Sequence, residues 1–183
     1  MDGDGRNHKS VQLEAGFLAG AGGRPGSPPV SLAALRAASL FAVCVETGGL
    51  RCRVKVQLQV GDALYEGVAS GPDSPRQRLR LAAAAAVQAV EELLGGVVPL
   101  AVEDLREVAL GPRTAVVLSL ALPGDEGEDC LIGSALLRHD PAEAGARAVL
   151  DAVQHLRRRW EDDPVFRRAA LGPAAGKSPP TPG

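Results

Sequence analysis

The feature that most constrains the fold of this chain is an internal repeat. The stretch 54–60 carries valine or leucine at every second position, and the stretch 116–122 repeats this apolar set 62 positions later (116 − 54 = 62). Alternation with a period of two is typical of a β-strand that has one face on a core. Gly67 and Gly133 then stand at matching places, 66 positions apart (133 − 67 = 66). The chain is therefore predicted to contain two copies of one folding unit.

Each copy is predicted to contain three strands. A short apolar strand comes first, the alternating strand follows, and a third strand comes after a turn. The first and third strands are expected over 40–46 and 64–69 in one copy, and over 102–110 and 130–135 in the other. The turn is Gly61-Asp62 in the first copy and a longer acidic loop, 123–129, in the second. Because a Gly-Asp pair fits a tight hairpin, both sheets are expected to be antiparallel.

A helix is predicted to close each copy. Ser74-Pro75 and Asp140-Pro141 precede the helices, and both pairs are strong start signals, because Ser or Asp caps free N–H groups and proline suits the first helical position. Ala-Val-Gln at 86–88 recurs at 152–154 (152 − 86 = 66), which predicts the same register for both helices. The helices themselves are expected over 79–94 and 144–160.

The predicted fold class is therefore α+β, a tandem duplication of a βββα unit with two three-stranded antiparallel sheets and covering helices. The units are expected over 40–96 and 97–166, and the two sheets either share one six-stranded layer or face each other. A short extra helix is predicted over 31–39. The lead 1–30 and the Pro/Gly-rich tail 167–183 are predicted to be flexible, because neither can bury enough apolar area to offset backbone entropy.

Composition excludes several classes of function. A net charge of −2 gives no field to hold nucleic acid, and aromatic residues make up only 3% of the chain. No apolar run is long enough to cross a membrane, and no secretory signal precedes the core, so a cytoplasmic protein is expected. Cys44, Cys52 and Cys130 are an odd number without a metal-type spacing, so they are expected to be buried, reduced thiols.

The two sheets are expected to differ on their outer faces. In the first copy this face carries polar residues, and in the second it is far less polar. The two sets are Arg53, Lys55, Gln57 and Gln59 against Ala115, Val117, Ser119 and Ala121. We expect something to cover the second face, and a homodimer is the predicted cover.

This pattern resembles the C-terminal regulatory domain of 2-isopropylmalate synthase, which is also two βββα units in tandem. The resemblance rests on Gly67 with the Gly71-Pro72 pair in the first unit, and on Gly133 with Asp140 before an Ala-rich helix in the second. It covers about 40–158 of this chain, and the second glycine of the family's second unit is replaced by Leu136-Leu137. The resemblance implies a stand-alone relative of a dimerising, effector-binding domain without the catalytic barrel.

One group of residues is predicted to bind a ligand. It combines the loop before the first helix with the start of the second helix, where free N–H groups and the helix dipole favour an anion or a carboxylate. Its members are Ser70, Gly71, Pro72, Asp73, Arg76 and Asp140. The alternative is an ordinary capped helix start with a solvated arginine face. Three arginines at the start of the first helix, Arg76, Arg78 and Arg80, oppose the helix dipole, so they are expected to meet an acidic partner, a phosphate or the acidic loop 125–129. Arg76 and Arg80 share one helix face, and Arg78 points elsewhere.

No catalytic pair, metal-ligand spacing or cofactor motif stands out, so no enzyme activity, metal or cofactor is predicted. The predicted function is a non-catalytic regulatory or interaction module that dimerises and binds a small metabolite, such as an amino-acid-like effector, or a protein partner. The alternative is an RNA-associated protein that uses the exposed first sheet face, with Arg53 and Lys55. Nucleic acid and membrane are the disfavoured partners.

Overall fold

The computed structural model describes residues 32–96, 98–124 and 127–162. Its elements are α1 (Leu32–Ala37), β1 (Ser39–Gly48), β2 (Arg51–Val60), β3 (Ala63–Pro72), α2 (Pro75–Leu93), β4 (Ala101–Leu110), β5 (Arg113–Gly124), β6 (Gly127–Leu137) and α3 (Pro141–Asp162). The predicted short helix is present as α1. The predicted flexible lead 1–30 and tail 167–183 lie outside the described residues.

Two separate antiparallel sheets form, in the order β1-β2-β3 and β4-β5-β6. Each is followed by its helix, which confirms the tandem βββα fold. In the central strands Val56 pairs with Gly67, and Leu118 pairs with Gly133, so the two copies keep the same register. The predicted turn at Gly61 has the left-handed φ of 58° that a tight hairpin requires, and glycine adopts it at no steric cost.

The first strand of each sheet, β1 or β4, has the same break in its pairing register. The register shifts between Leu40 and Ala42 in β1, and between Val102 and Asp104 in β4. The extra residues are Phe41 and Glu103, which stand at equivalent places in the two units. A bulge bends the edge of a sheet and weakens it as a template for further strands.

The two helices form a layer between the sheets. The first, α2, packs on β2 and β3 and also on α3 and β4, while α3 packs on β5 and β6 and also on β1. The two sheets therefore face each other, which is one of the two predicted arrangements, and the helices lie between them. Because each helix is covered on opposite sides, it is buried around most of its circumference, and small side chains such as Ala82, Ala86 and Ala146 are fully buried.

The core is formed by the inner faces of both sheets and by these helices. The alternating apolar residues predicted to point inward are buried, among them Val54, Val56, Leu118 and Leu120. They belong to one continuous cluster that includes residues of both units. Neither unit closes its own core, because each helix also needs the opposite sheet.

Three glycines allow the layers to approach this closely. A Cβ at Gly67 would meet the backbone of α2 at Ala85 and Ala89, and a Cβ at Gly133 would meet the backbone of α3 at Ala148 and Ala152. Between the helices, a Cβ at Gly145 would lie 2.6 Å from the carbonyl oxygen of Leu79. Backbone atoms cannot rotate away as a side chain can, so these positions require glycine for space rather than for φ.

The helix register differs from the prediction. The equivalent contacts are Ala85 over Gly67 and Ala148 over Gly133, so within the helices the repeat is offset by 63 positions rather than 66 (148 − 85 = 63). The recurring Ala-Val-Gln triplets are therefore not equivalent in space. The three-residue difference is nearly one helical turn. Relative to the glycine of its own sheet, α2 is therefore shifted along its axis by this amount compared with α3.

Side chains of the helices accept hydrogen bonds from backbone N–H groups of the edge strands β3 and β6. The Val68 N–H donates to Gln88 Oε1 at 3.0 Å, and the Ser134 N–H donates to Asp151 Oδ2 at 2.8 Å. These two acceptors are again 63 positions apart (151 − 88 = 63). Covering an edge N–H in this way prevents further strands from pairing there.

The acidic loop of the second unit is shorter than predicted. Strand β5 continues to Gly124 and β6 begins at Gly127, so the pairing extends through most of the predicted loop. Its centre, Asp125 and Glu126, lies outside the described residues. The predicted contact of Arg76 and Arg80 with these two acidic residues therefore also lies outside the described residues.

Candidate functional site

The two predicted helix starts form as capped N-termini. The Gln77 N–H donates to Ser74 Oγ at 3.3 Å, and the Ala142 N–H donates to Asp140 Oδ1 at 2.9 Å. A residue of this kind at the N-cap satisfies one of the free N–H groups of the first turn. Of these two capping residues, Asp140 is one of the predicted ligand-binding residues, and its side chain is engaged in capping its own helix.

The Asp73 carboxylate, which lies just before α2, is held by Arg78 near the start of that helix. Arg78 donates to it through Nε at 2.6 Å and through Nη2 at 2.9 Å, a bidentate pair that aligns two planar groups. The Asp73 N–H also donates to the Leu50 carbonyl at 2.9 Å. Arg78 thus has an acidic partner, one of the three kinds of partner left open for the arginines at the start of the first helix.

The buried thiol of Cys52 lies beside this pair, whereas Cys44 and Cys130 are exposed, so the prediction of three buried cysteines is wrong for these two. The Cys52 Sγ is 3.6 Å from the carbonyl oxygen of Pro72, and burial followed by the nearby Asp73 charge raises the pKa of the thiol. A thiol with a raised pKa is a poor nucleophile at neutral pH. The cluster therefore joins the start of β2 and the end of β3 to the start of α2, and it is not a reactive centre.

The Asp73–Arg78 pair predicts how stability depends on acid. Hydrogen bonds from Arg78 hold the pKa of Asp73 below its ordinary value, so the folded state binds this proton more weakly than the unfolded chain. The stabilising effect is present above the unfolded pKa of about 3.9 and is lost as the pH falls through the lower folded pKa. We expect Asp73→Asn to be less stable than wild type at neutral pH, and the difference to shrink below about pH 4.

Urea unfolding of both proteins across this pH range measures the effect. Asp62→Asn is the control, because Asp62 is exposed in the β2–β3 turn and forms no ion pair with any residue in the described ranges. A difference between wild type and Asp73→Asn that stays constant from neutral pH to acid would contradict the assignment.

The other predicted ligand-binding residues lie apart from one another. Ser70 is exposed on the outer face of the first sheet opposite Arg53, and Pro72 and Arg76 are exposed near the start of α2. Gly71 is buried, and a Cβ there would meet the Leu81 side chain at 3.2 Å. The six predicted residues therefore do not converge on one cavity, and Gly71 contributes close packing.

Asp140 alone among them lines the open groove of α3. This groove of about 590 Å³ lies between α3, the start of β1 and the end of β6. Its charged lining includes Arg138, Glu143, Arg147 and Asp151. Arg147 contacts Glu143 at 2.7 Å across one turn of α3. Charges of both signs thus stand within one groove of a size that accepts a small molecule.

Residues of this groove could not be found from the sequence pattern. Leu40 belongs to the first unit and Leu150 to the second, and they meet because α3 also packs on β1. A contact between units depends on how the layers stack, which hydrophobic periodicity does not specify. The sequence signal was limited to Asp140 as a helix cap.

The outer faces of the two sheets differ, as predicted. On the first sheet Glu66 lies at the centre of the polar set, where Lys55 Nζ is 3.4 Å from its carboxylate and Gln57 donates to it at 2.9 Å. The positive charge of Lys55 is therefore partly neutralised on this face. Arg53 is exposed opposite Glu46 and Ser70.

The outer face of the second sheet carries exposed apolar side chains in the single chain, beside the Asp104–Arg106 ion pair on its edge strand β4. Ile132 is 56% exposed, and Val108 and Leu136 flank Ala115 in one row across the sheet. A row is formed by residues that pair directly, because their side chains leave the sheet on the same side. Ile132 occupies the place that Glu66 has in the first unit (132 − 66 = 66). The exchange of a charged for an apolar residue makes the two faces chemically different at this position.

Among the described helices, none is long and apolar enough to cross a membrane. A scan against protein-family models found no match to this chain, and a search of curated proteins found no match either.

Proposed function

We propose that this protein is a non-catalytic regulatory or interaction module that dimerises through the outer face of its second sheet and binds a small effector. The observation that carries this proposal is the contrast between the two outer faces. One fold position holds Glu66 in the first unit and the exposed Ile132 in the second. The resemblance to the regulatory domain of 2-isopropylmalate synthase supports the same function, and we place the protein in the cytoplasm.

The size of the second face supports a dimer of moderate strength. Its strands of 10, 12 and 11 residues cover roughly 500 Å² at about 3.3 Å per residue and about 4.8 Å per strand. Two copies would bury about 1,000 Å², which is near the lower bound for a specific interface. We therefore expect a dissociation constant on the order of micromolar rather than nanomolar.

Sedimentation equilibrium of the full chain tests the dimer. The proposal expects a monomer–dimer equilibrium with a midpoint on the order of micromolar. A protein that remains monomeric at a concentration of about 1 mM would overturn the dimer.

The geometry favours this proposal over RNA binding. An RNA surface needs unpaired cations and exposed rings along its sheet. On the first sheet, Glu66 engages Lys55, and the exposed ring of Phe41 lies on the bulged edge strand β1. The polar face therefore resembles a solvated surface more than a site for phosphates and bases.

We assign the effector to the groove beside α3. An amino-acid-like effector carries a carboxylate and an ammonium, and the groove offers Arg138 and Arg147 for the first and Glu143 and Asp151 for the second. The mixed lining suits a zwitterion better than a simple cation or anion.

The test is a thermal-shift titration of the full chain with leucine and other branched amino acids. A ligand at about 100 times its dissociation constant stabilises the folded state by about 2.7 kcal/mol, which raises the midpoint by several degrees. Arg147→Ala is expected to remove this shift, and Arg36→Ala, an exposed arginine of α1, is the control. A flat response to every ligand, or a full shift in Arg147→Ala, would contradict the assignment.

A further inference from the structure

A second cavity lies at the end of the second sheet and is lined by cationic groups. It has a volume of about 600 Å³, and its polar lining comes from Arg113, Thr114, Arg138 and His139. The remaining lining is apolar or proline, so none of the described residues that form this cavity carries a carboxylate. This distinguishes it from the groove beside α3, in which both signs of charge are present.

The register of the sheet brings the two arginines together. Thr114 pairs with Leu137 at the end of the β5–β6 ladder, so the next residue on each side is Arg113 and Arg138. Two like charges opposite each other across neighbouring strands destabilise a sheet. Such an arrangement is tolerated most easily where an anion lies between the two groups.

Neither arginine has a carboxylate partner. Arg78, Arg106 and Arg147 each contact a carboxylate within 2.7 Å. Arg113 and Arg138 form no ion pair or side-chain hydrogen bond with any residue in the ranges that the structure covers. The nearest carboxylate in sequence, Asp140, accepts from the Ala142 N–H as the cap of α3.

The first unit closes the same position with its own charges. There Arg51 lies opposite Pro72, and the following Asp73 binds Arg78. The second unit has His139 in the place of Asp73 (139 − 73 = 66), so it carries no carboxylate at this position. The internal ion pair is therefore replaced by a cluster of donors without an acceptor.

We propose that this cavity binds a phosphate group, held by the guanidinium groups of Arg113 and Arg138. A guanidinium presents parallel N–H donors that match two oxygens of a phosphate, and two arginines facing each other can hold it from opposite sides. The Thr114 hydroxyl and the His139 ring supply further donors at the cavity wall. The site adjoins the effector groove, because Leu136, Arg138 and His139 line both, whereas Arg113 lines the phosphate site and not the groove.

The experiment is a calorimetric titration of the full chain with inorganic phosphate and, separately, with glycerol 3-phosphate, with chloride held at constant ionic strength. We expect saturable binding with a dissociation constant on the order of 1 mM or below. Arg113→Gln and Arg138→Gln should each weaken it by about 10-fold, because each removes charge-assisted hydrogen bonds. If glycerol 3-phosphate binds more tightly, the ligand of the cavity is a phosphate monoester. If inorganic phosphate binds equally or more tightly, the ligand is the free ion.

Arg80→Gln is the matched control, because Arg80 is an exposed arginine of α2 without an ion pair to any described residue. It should bind phosphate as wild type does. Ile132→Glu should also bind normally, which separates this site from the proposed dimer. The proposal is overturned if neither ligand shows saturable binding, or if the Arg113→Gln/Arg138→Gln double variant binds as tightly as Arg80→Gln.

Discussion

Gly133→Val is expected to destabilise the protein by about 3 kcal/mol or more, a large part of the 5–15 kcal/mol that holds a typical domain folded. A Cβ at this position would lie 2.5 Å from the Ala152 nitrogen and 2.7 Å from the Ala152 Cβ. These atoms belong to α3, which is held from the other side by α2 and β1. The helix can make room only by moving away from the sheet, and this opens the core of both units.

Thermal unfolding followed by circular dichroism measures this effect, and the midpoint should fall by roughly 10 °C. Gly48→Val is the control, because Gly48 also belongs to a strand, as the last residue of β1, and has no atom within 4 Å of a built Cβ. It should unfold close to wild type. If Gly133→Val unfolds within about 2 °C of Gly48→Val, α3 does not pack on β6 as closely as described.

Ile132→Glu is expected to weaken the dimer by about 100-fold or more. Burying an isoleucine side chain contributes about 1.5–3 kcal/mol, and an isologous interface includes the residue from both copies, so the loss is doubled. The substitution also brings a charge into an apolar face, where burial of an unpaired charge is costly. It installs the residue type that the first unit has at Glu66.

Sedimentation equilibrium provides the comparison, with Leu64→Glu as the control. Leu64 is 47% exposed and lies on the outer face of the first sheet, opposite Gln59. The same kind of change there should leave the dimer intact, and both variants should keep the fold because both side chains are largely in solvent. If Leu64→Glu dissociates the dimer as strongly as Ile132→Glu does, the second sheet is not the interface.

The sequence predicts the strands and the helix starts well, because each depends on local chemistry. Alternation around Val56 and Leu118 reports which face of a strand is buried, and Ser74 and Asp140 mark helix starts because their side chains satisfy N–H groups a few residues away. The matching Gly67 and Gly133 also reflect a real constraint, the close approach of a helix backbone.

The stacking of the layers and the site geometry do not follow from these local signals. The triplets at 86–88 and 152–154 match in sequence, yet the helices are offset by 63 positions because the contact with each glycine decides their placement. The groove beside α3 joins Leu40 to Leu150 across two units. In the sequence, Arg78 is one of three arginines near the start of α2, and only the folded structure shows that it pairs with Asp73.

The isoleucine at position 132 is the only one in the chain, so a sample labelled at isoleucine methyl groups gives a single reporter on the proposed interface. The most direct measurement mixes this sample, deuterated at all other positions, with an equal amount of unlabelled protein and records isotope-filtered nuclear Overhauser effects to that methyl group. The account predicts effects from side chains of the second copy, with a methyl shift that changes on dilution through the micromolar range. A methyl signal that contacts only its own chain and keeps its shift at every concentration would contradict it.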